Sequence, residues 1–445
     1  MSLYRVLVVD DSAFMRKIVS DLITRDDQFE VVATAGNGLT AIDMVAKHKP
    51  DAVTMDLEMP EMNGLEALQI IMNERPVPVI MLSGISEENT RDTIKALHNG
   101  AFDFIRKPAI DGSVDINQVG EQLLDKLRIA VLVSRAQSKT KPEKQIAVPK
   151  LADRKRSEGT PDKQPEPTAA AGESKRQSKQ TKKQPTTPKS TSIEKTASQK
   201  PVAADSMKST TVPSVQSSSV EYVEAVKLTA PSDRNPLLPT KGDKRKGTPV
   251  FDSIVLIGTS TGGPRALHEV ICTLPADINA PVLVVQHMPP NFTRSLAQRL
   301  DAFSAVKVTE AVQGERVVSG TVYIAPGGFH MELAKDRSGY YIKLTEDELR
   351  SGHRPSVDVL FESAASCNEL RRHAVLMTGM GSDGAKGMKL LRDSGALTTI
   401  AEAEETCVVY GMPRAAVEMG AATDIVPLPR ISSALVQAVA RRSTE

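Results

Sequence analysis

Cysteine is scarce in this chain: the three present, Cys272, Cys367 and Cys407, fall at no regular spacing. That excludes a disulfide framework and a zinc site, fits a reducing compartment, and makes the three thiols buried spacers rather than nucleophiles. Charge of one sign is lacking as well. A formal net charge of +1 supplies no global field to draw the chain to nucleic acid or to a lipid surface. Long hydrophobic runs are also missing. The opening MSLYRVLVVDDS is too short for a signal peptide and is broken by paired aspartates, and nothing later approaches the ~18 apolar residues of a membrane span. The expectation is a cytoplasmic, monomeric protein with no nucleic-acid partner and no direct membrane insertion.

What the chain does have is length. Its 445 residues are enough for two or three domains and at least two independent cores. Residues 137–249 are dense in Lys, Gln, Ser, Thr and Pro, with Tyr222 as the only aromatic. Such a segment cannot bury enough apolar surface to offset the entropy of ordering it, so it reads as a disordered, self-repelling linker between folded units at 1–136 and 250–445. Its basic excess is accompanied by a single tyrosine, no stacking platform for bases.

Before the linker, strand-like runs at Arg5–Val9, Val31–Ala35, Ala52–Met55, Val77–Leu82 and Phe102–Ile105 alternate with helix-length segments such as Ala13–Thr24 and Gly64–Asn73. After it, Ser253–Ile257, Pro281–Gln286, Val322–Ala325 and His373–Met377 repeat the pattern, with Thr261–Leu274 and Gly384–Ser394 as helical partners. This alternation predicts two parallel α/β sheets, in which the loops after the strands open on one edge.

On the first sheet's edge that rule gathers Asp10 and Asp11, Asp56, Ser83 and Lys107. Carboxylates that close repel one another unless a divalent cation neutralises them, and an all-oxygen set suits Mg²⁺. Asp56 can then act as nucleophile toward a phosphoryl donor, with Lys107 offsetting charge, Ser83 bonding the new phosphoryl oxygen and Phe104 repacking behind it. Taken singly, Asp10 reads equally as a helix cap, Ser83 as a turn residue and Phe104 as core.

VLVVDDSAFMRK, MDLEMPEMNG, MLSG and FIRKP resemble the response-regulator receiver family. The resemblance implies a flavodoxin-like fold, Asp56 as phospho-acceptor, and Mg²⁺ held by Asp10, Asp11, Asp56 and the backbone carbonyl of Glu58. It also implies a histidine kinase as phosphoryl donor. Receivers often carry Thr where Ser83 stands and Tyr where Phe104 stands.

On the second sheet's edge lie Ser260 in GTSTGG, His287 in VLVVQHMP and Asp383 in VLMTGMGSDG. Gly258-Thr259-Ser260-Thr261-Gly262 matches G-x-S-x-G between a strand and a helix, the setting of a nucleophile elbow. His287 would take the serine proton and Asp383 would orient the imidazole. Backbone N–H groups after Ser260 and in the TGMG loop could receive the oxyanion. The bland readings are a Gly-rich turn, a capping or core histidine, and an N-cap aspartate. The order Ser, His, Asp argues against the α/β-hydrolase fold. Of the remaining histidines, which form no metal spacing, His330 and His353 are the ones placed to line the cleft.

IGTSTGGP, VVQHMPPNFT, YIAPGGFHM, RPSVD, LMTGMGSDGA and ETCVVYGMPRAA resemble the catalytic domain of chemotaxis protein-glutamate methylesterases, the CheB family. That resemblance implies a larger α/β methylesterase domain, with Ser260, His287 and Asp383 as triad and the N–H groups of Thr261 and Met380 as oxyanion hole. It implies demethylation of glutamyl methyl esters on chemoreceptors, deamidation of receptor glutamines, and no cofactor for the ester chemistry. Thr259 stands where the family commonly has Ala, and the linker is longer than the family leads one to expect. The alternative is a phospho-gated protein that docks on receptors without turnover. A DNA-binding output is disfavoured by the lack of a basic recognition helix.

Overall fold

The computed structural model describes residues 3–84, 86–107, 116–140 and 251–441. Most of the expected linker therefore lies outside the described residues. In the N-terminal half, β1 (Tyr4–Val9), α1 (Ala13–Ile23), β2 (Phe29–Ala35), α2 (Gly38–His48), β3 (Ala52–Asp56), α3 (Gly64–Glu74), β4 (Val79–Ser83), α4 (Glu87–His98), β5 (Asp103–Arg106) and α5 (Ile116–Thr140) follow in strict alternation. The five strands pair in parallel in the order β2-β1-β3-β4-β5, the flavodoxin-like arrangement, with its topological switch between β1 and β3. Asp10 follows one of those strands and Asp56 ends the other.

Two boundaries differ from the expected ones. Strand β4 starts at Val79 rather than Val77, because Pro76 and Pro78 flank Val77 and neither can donate to a ladder. Helix α5 continues to Thr140, four residues beyond the expected end of the first folded unit at 136.

The C-terminal half opens with β6 (Ser253–Thr259), α6 (Gly263–Ile271), β7 (Val282–Gln286), α7 (Phe292–Phe303), β8 (Lys307–Glu310) and β9 (Thr321–Ile324). A hairpin of β10 (His330–Asp336) and β11 (Gly339–Thr345) comes next, then α8 (Val357–Ala365), β12 (Arg371–Leu376), α9 (Ala385–Asp393), β13 (Thr398–Glu402), α10 (Met412–Glu418), β14 (Asp424–Val426) and α11 (Leu428–Ala440). Seven parallel strands run in the order β14-β13-β12-β6-β7-β9-β8. Every residue of β6 is buried, as a central strand covered by helices on both faces must be. Helix α6 packs Ala266, Leu267, Val270 and Ile271 inward at the 3–4 residue spacing of an amphipathic helix.

The antiparallel hairpin is an addition to the expected parallel architecture. Buried Met331 and Leu333 alternate with Glu332, but exposed Lys335 ends the alternation, so the stretch carries no continuous apolar run. No described helix is long and apolar enough to cross a membrane.

The two halves touch. Phe104 of β5 stacks on Phe292 of α7 with ring centroids 4.6 Å apart, and Thr90 of α4 shares a buried 2.8 Å hydrogen bond with Ser295 of α7. One apolar cluster runs through this contact from one sheet to the other.

Candidate active site and phospho-acceptor site

Strands β6 and β12 lie side by side where the seven-stranded order reverses, and β7 flanks β6 on its other edge. The loops after these three strands carry Asp383, Ser260 and His287, so the topology brings them to one crevice. Ser260 is pinned by its backbone: its N–H donates to the Thr378 carbonyl at 3.0 Å, and its own carbonyl accepts from Gly263 N at 2.8 Å and Gln286 Nε2 at 2.9 Å. Gly262 makes the turn into α6 at φ 80°, where a Cβ would also press on Val408. Gly379 lets the following loop come close: a Cβ there would lie 2.8 Å from the Ser260 Cβ.

His287 Nε2 lies 2.7 Å from Asp383 Oδ2, with both side chains buried. That bond puts the proton on Nε2 and leaves Nδ1 with a lone pair. Nδ1 is buried and has no hydrogen-bond partner. Among the described residues no hydrogen bond joins it to the Ser260 hydroxyl, so the structure brings His287 and Asp383 into contact and leaves Ser260 and His287 unbonded. Catalytic hydrogen bonds are often long before substrate arrives.

Asp383 does not cap the helix that follows it, whose N-cap is Gly384, but meets the start of a helix distant in sequence. Its Oδ2 accepts from Val357 N at 2.7 Å, and its Oδ1 accepts from Ser356 Oγ at 2.8 Å and Asp358 N at 3.1 Å, all at the start of α8. Burial pushes its pKa up, but the hydrogen bond and charge of His287 with the α8 donors more than offset this and hold it at about 2. The carboxylate stays ionised at any neutral pH. Near Ser260, the backbone N–H groups of Thr261 and Met380 donate to no acceptor among the described residues, as a pair waiting for an oxyanion would.

Sequence reasoning missed Gln286. Its Nε2 donates to the carbonyls of Ser260 and His287 at 2.9 and 3.2 Å, and its Oε1 accepts from Thr259 Oγ1 at 2.6 Å. One carboxamide thus ties the loops after β6 and β7 together, and the Thr259 hydroxyl braces it. The only sequence signal is a polar residue closing an apolar run. Gln286→Leu should lower kcat about 10- to 100-fold, since small misplacements of reacting groups carry such penalties. Steady-state kinetics checks this, and thermal melting should show a loss of about 1–3 kcal/mol from the unpaired buried groups. Ser356 was likewise passed over. His330, expected at the cleft, is buried, accepts from Ser356 N at 3.2 Å and bonds the Glu348 carbonyl, so it supports the wall. The three cysteines are free, and burial pushes the Cys367 and Cys407 thiols up, away from nucleophilic thiolate.

At the N-terminal sheet, carboxylate oxygens of Asp10, Asp11 and Asp56 lie within 4.8 Å of one another. Lys107 Nζ approaches Asp56 Oδ2 at 2.7 Å and Asp10 Oδ2 at 2.9 Å, though the latter atom has no hydrogen bond of proper geometry. Asp10 Oδ1 accepts from Ser12 N at 2.9 Å, but Ser12 is the N-cap of α1 and its hydroxyl accepts from Met15 N, so the helix-cap reading of Asp10 is corrected. Burial raises the Asp56 pKa to about 6, with Lys107 opposing and Asp10 adding to the rise. The orphaned Asp10 Oδ2 and the Glu58 carbonyl, which accepts no hydrogen bond among the described residues, fit the ligand set of a hard divalent cation. Ser83 Oγ donates to the Gly84 carbonyl and accepts from Thr93 Oγ1 at 2.6 Å.

The CheB methylesterase family model matches residues 255–435, and that of the response regulator receiver domain matches residues 6–115. The protein-glutamate methylesterase/protein-glutamine glutaminase of Geobacillus kaustophilus is 39% identical over 439 residues, covering 99% of each chain. The chain belongs to the CheB methylesterase family. The Bacillus subtilis protein of the same description is 37% identical over 435 residues, covering 98% of each chain. A crystal structure of the Thermotoga maritima CheB methylesterase catalytic domain is 45% identical, spans 42% of this chain and 99% of its own, and has a TM-score of 0.41. Coverage of 99% on both sides corrects one expectation: the long segment between the halves is no departure from these CheB-family relatives.

Proposed function

We propose that this chain is a phosphorylation-gated protein-glutamate methylesterase and protein-glutamine glutaminase acting on chemoreceptors. The observation that carries the reading is the buried His287–Asp383 pair, with Nδ1 left without a partner, on a loop whose His287 N–H donates to the Thr259 carbonyl at 3.1 Å. The Ser260 hydroxyl adds to the side-chain ester or amide carbonyl while His287 Nδ1 takes its proton. The N–H groups of Thr261 and Met380 hold the oxyanion. Collapse breaks the C–O or C–N bond, Nδ1 returns the proton to leaving methanol or ammonia, and water then hydrolyses the acyl-enzyme by the same proton path.

Gating has its support in what covers the crevice. Asp103 Oδ2 of β5 accepts from Thr261 Oγ1 at 2.6 Å, beside the nucleophile, and is held by Lys126 of α5 at 2.5 Å. The Met380 side chain packs with Val408 and Val409 against Phe102, Ile129 and Ala130. Phosphorylation of Asp56 by a histidine kinase gives Ser83 a new acceptor in place of the Gly84 carbonyl and frees Phe104 to leave Phe292. Asp10, Asp11, Asp56 and the Glu58 carbonyl would hold Mg²⁺. When bound, that ion neutralises the carboxylates and the charge on the transferring phosphoryl group.

Methanol release from a methyl-esterified receptor, measured on the full chain, tests the reading. Turnover should rise severalfold with acetyl phosphate and Mg²⁺. Receptor binding without any methanol would leave only a docking protein, and a rate indifferent to the phosphoryl donor would remove the gate.

A further inference from the structure

The proposed chemistry uses the two nitrogens of His287 and leaves the faces of its ring unaccounted for. One face is covered by His353, whose ring lies with its centroid 3.8 Å away and its plane 10° from parallel. The hydrogen bonds of His353 among the described residues are all made by its backbone. Its ring is therefore held where it is by the turn that carries it. Arg350 and His353 exchange N–H to carbonyl bonds of 3.1 and 2.9 Å, while Ser351 at φ 53° and Gly352 at φ 79° both take left-handed backbone, the form of a two-residue hairpin turn. Ser351 adopts it despite its Cβ, a strained choice that surrounding contacts must hold in place. Arg354 secures the loop through 2.6 and 2.8 Å bonds to the Glu346 and Asp347 carbonyls. Two residues further, Ser356 and Val357 bond Asp383. One short segment thus touches both members of the His–Asp pair.

The other groups facing His353 are Asp383 and, from α5, Lys126. Burial, with His287 acting in the same sense, lowers its pKa to about 4, so at neutral pH an uncharged ring lies against His287. Such a ring offers its π face to the imidazolium formed during catalysis instead of a second positive charge.

We propose that His353 is a positioning residue for the general base. Its stacked ring stops the His287 imidazole from swinging about the Nε2–Asp383 bond and keeps Nδ1 aimed at the Ser260 hydroxyl. This inference rests on the roles proposed above for Ser260, His287 and Asp383.

The test measures kcat and KM for methanol release by the full chain, with acetyl phosphate and Mg²⁺, for His353→Ala, His353→Phe and His353→Asn beside Ser260→Ala. His353→Ala and His353→Asn should lower kcat about 10- to 100-fold with KM nearly unchanged, and His353→Phe, which keeps a flat ring but no nitrogen, should recover most of the loss. A kcat within twofold of the parent in His353→Ala, a change confined to KM, or a His353→Phe enzyme no faster than His353→Asn would each overturn the proposal. If His353→Ala fails to fold, the comparison of Phe with Asn decides alone. Turnover surviving in Ser260→Ala would instead overturn the triad reading on which this inference rests.

Discussion

Exchange of Asp383 for asparagine is expected to lower kcat for methyl-ester hydrolysis about 10⁴-fold, the scale set by losing the orienting carboxylate of a serine triad. Both carboxylate oxygens face only donors: Ser356 Oγ and Asp358 N on one side, Val357 N and His287 Nε2 on the other. An asparagine can keep one side satisfied, and its NH₂ must then meet donors on the other. If the NH₂ faces His287, the imidazole must accept through Nε2 and carry its proton on Nδ1, where it can no longer take one from Ser260. Methanol release and single-turnover acylation would both fall, and retention of more than a tenth of the parent rate would remove Asp383 from the orienting role. Because the folded carboxylate is held at about 2, the parent's ionised Asp383 contributes stability that is complete above the unfolded value near 3.8. That contribution is lost as the pH falls from there through 2. The asparagine variant should therefore differ least from the parent in melting temperature at the most acid pH and most above pH 4.

Exchange of Asp56 for asparagine is expected to abolish the response to a phosphoryl donor while leaving the basal rate in place. An amide has no nucleophilic oxygen, and Lys107 loses the carboxylate it meets at 2.7 Å. Esterase rates with and without acetyl phosphate should then coincide, and a preserved stimulation would place the acceptor elsewhere. The same variant carries a stability signature of opposite sign to that of Asp383. Burial raises the Asp56 pKa to about 6, so in the parent stability is greatest below the unfolded value near 3.8 and declines as the pH rises through 6. The asparagine variant escapes that decline. Its melting temperature should exceed the parent's above pH 6, with the gap closing toward pH 4.

How much of this could be read in advance varies with the kind of interaction. Strands such as β6 were legible because a parallel strand buried on both faces must be apolar throughout, and IVLIG between Ser253 and Thr259 can hardly be anything else. The placement of Ser260, His287 and Asp383 followed from one rule, that loops after parallel strands open on a common edge. The hairpin of β10 and β11 was not legible, since only Met331 and Leu333 alternate before Lys335 breaks the pattern. Gln286 and Ser356 escaped notice because a carboxamide or hydroxyl that acts through backbone atoms of other loops leaves no periodic trace. His353 stood out only as a histidine near the cleft, with nothing to indicate the ring it covers.

Local chemistry along the chain was thus sufficient for two parallel α/β sheets and for the edges on which their reactive residues lie, because side-chain period, glycine placement and strand ends are properties of neighbouring residues. Folding in three dimensions settled which imidazole nitrogen meets Asp383, that the start of α8 holds that carboxylate, and that β5 and α5 meet Thr261 and Met380. Those outcomes depend on strand order and on the direction in which side chains point across loops some hundred residues apart, and no pattern local to the chain encodes either.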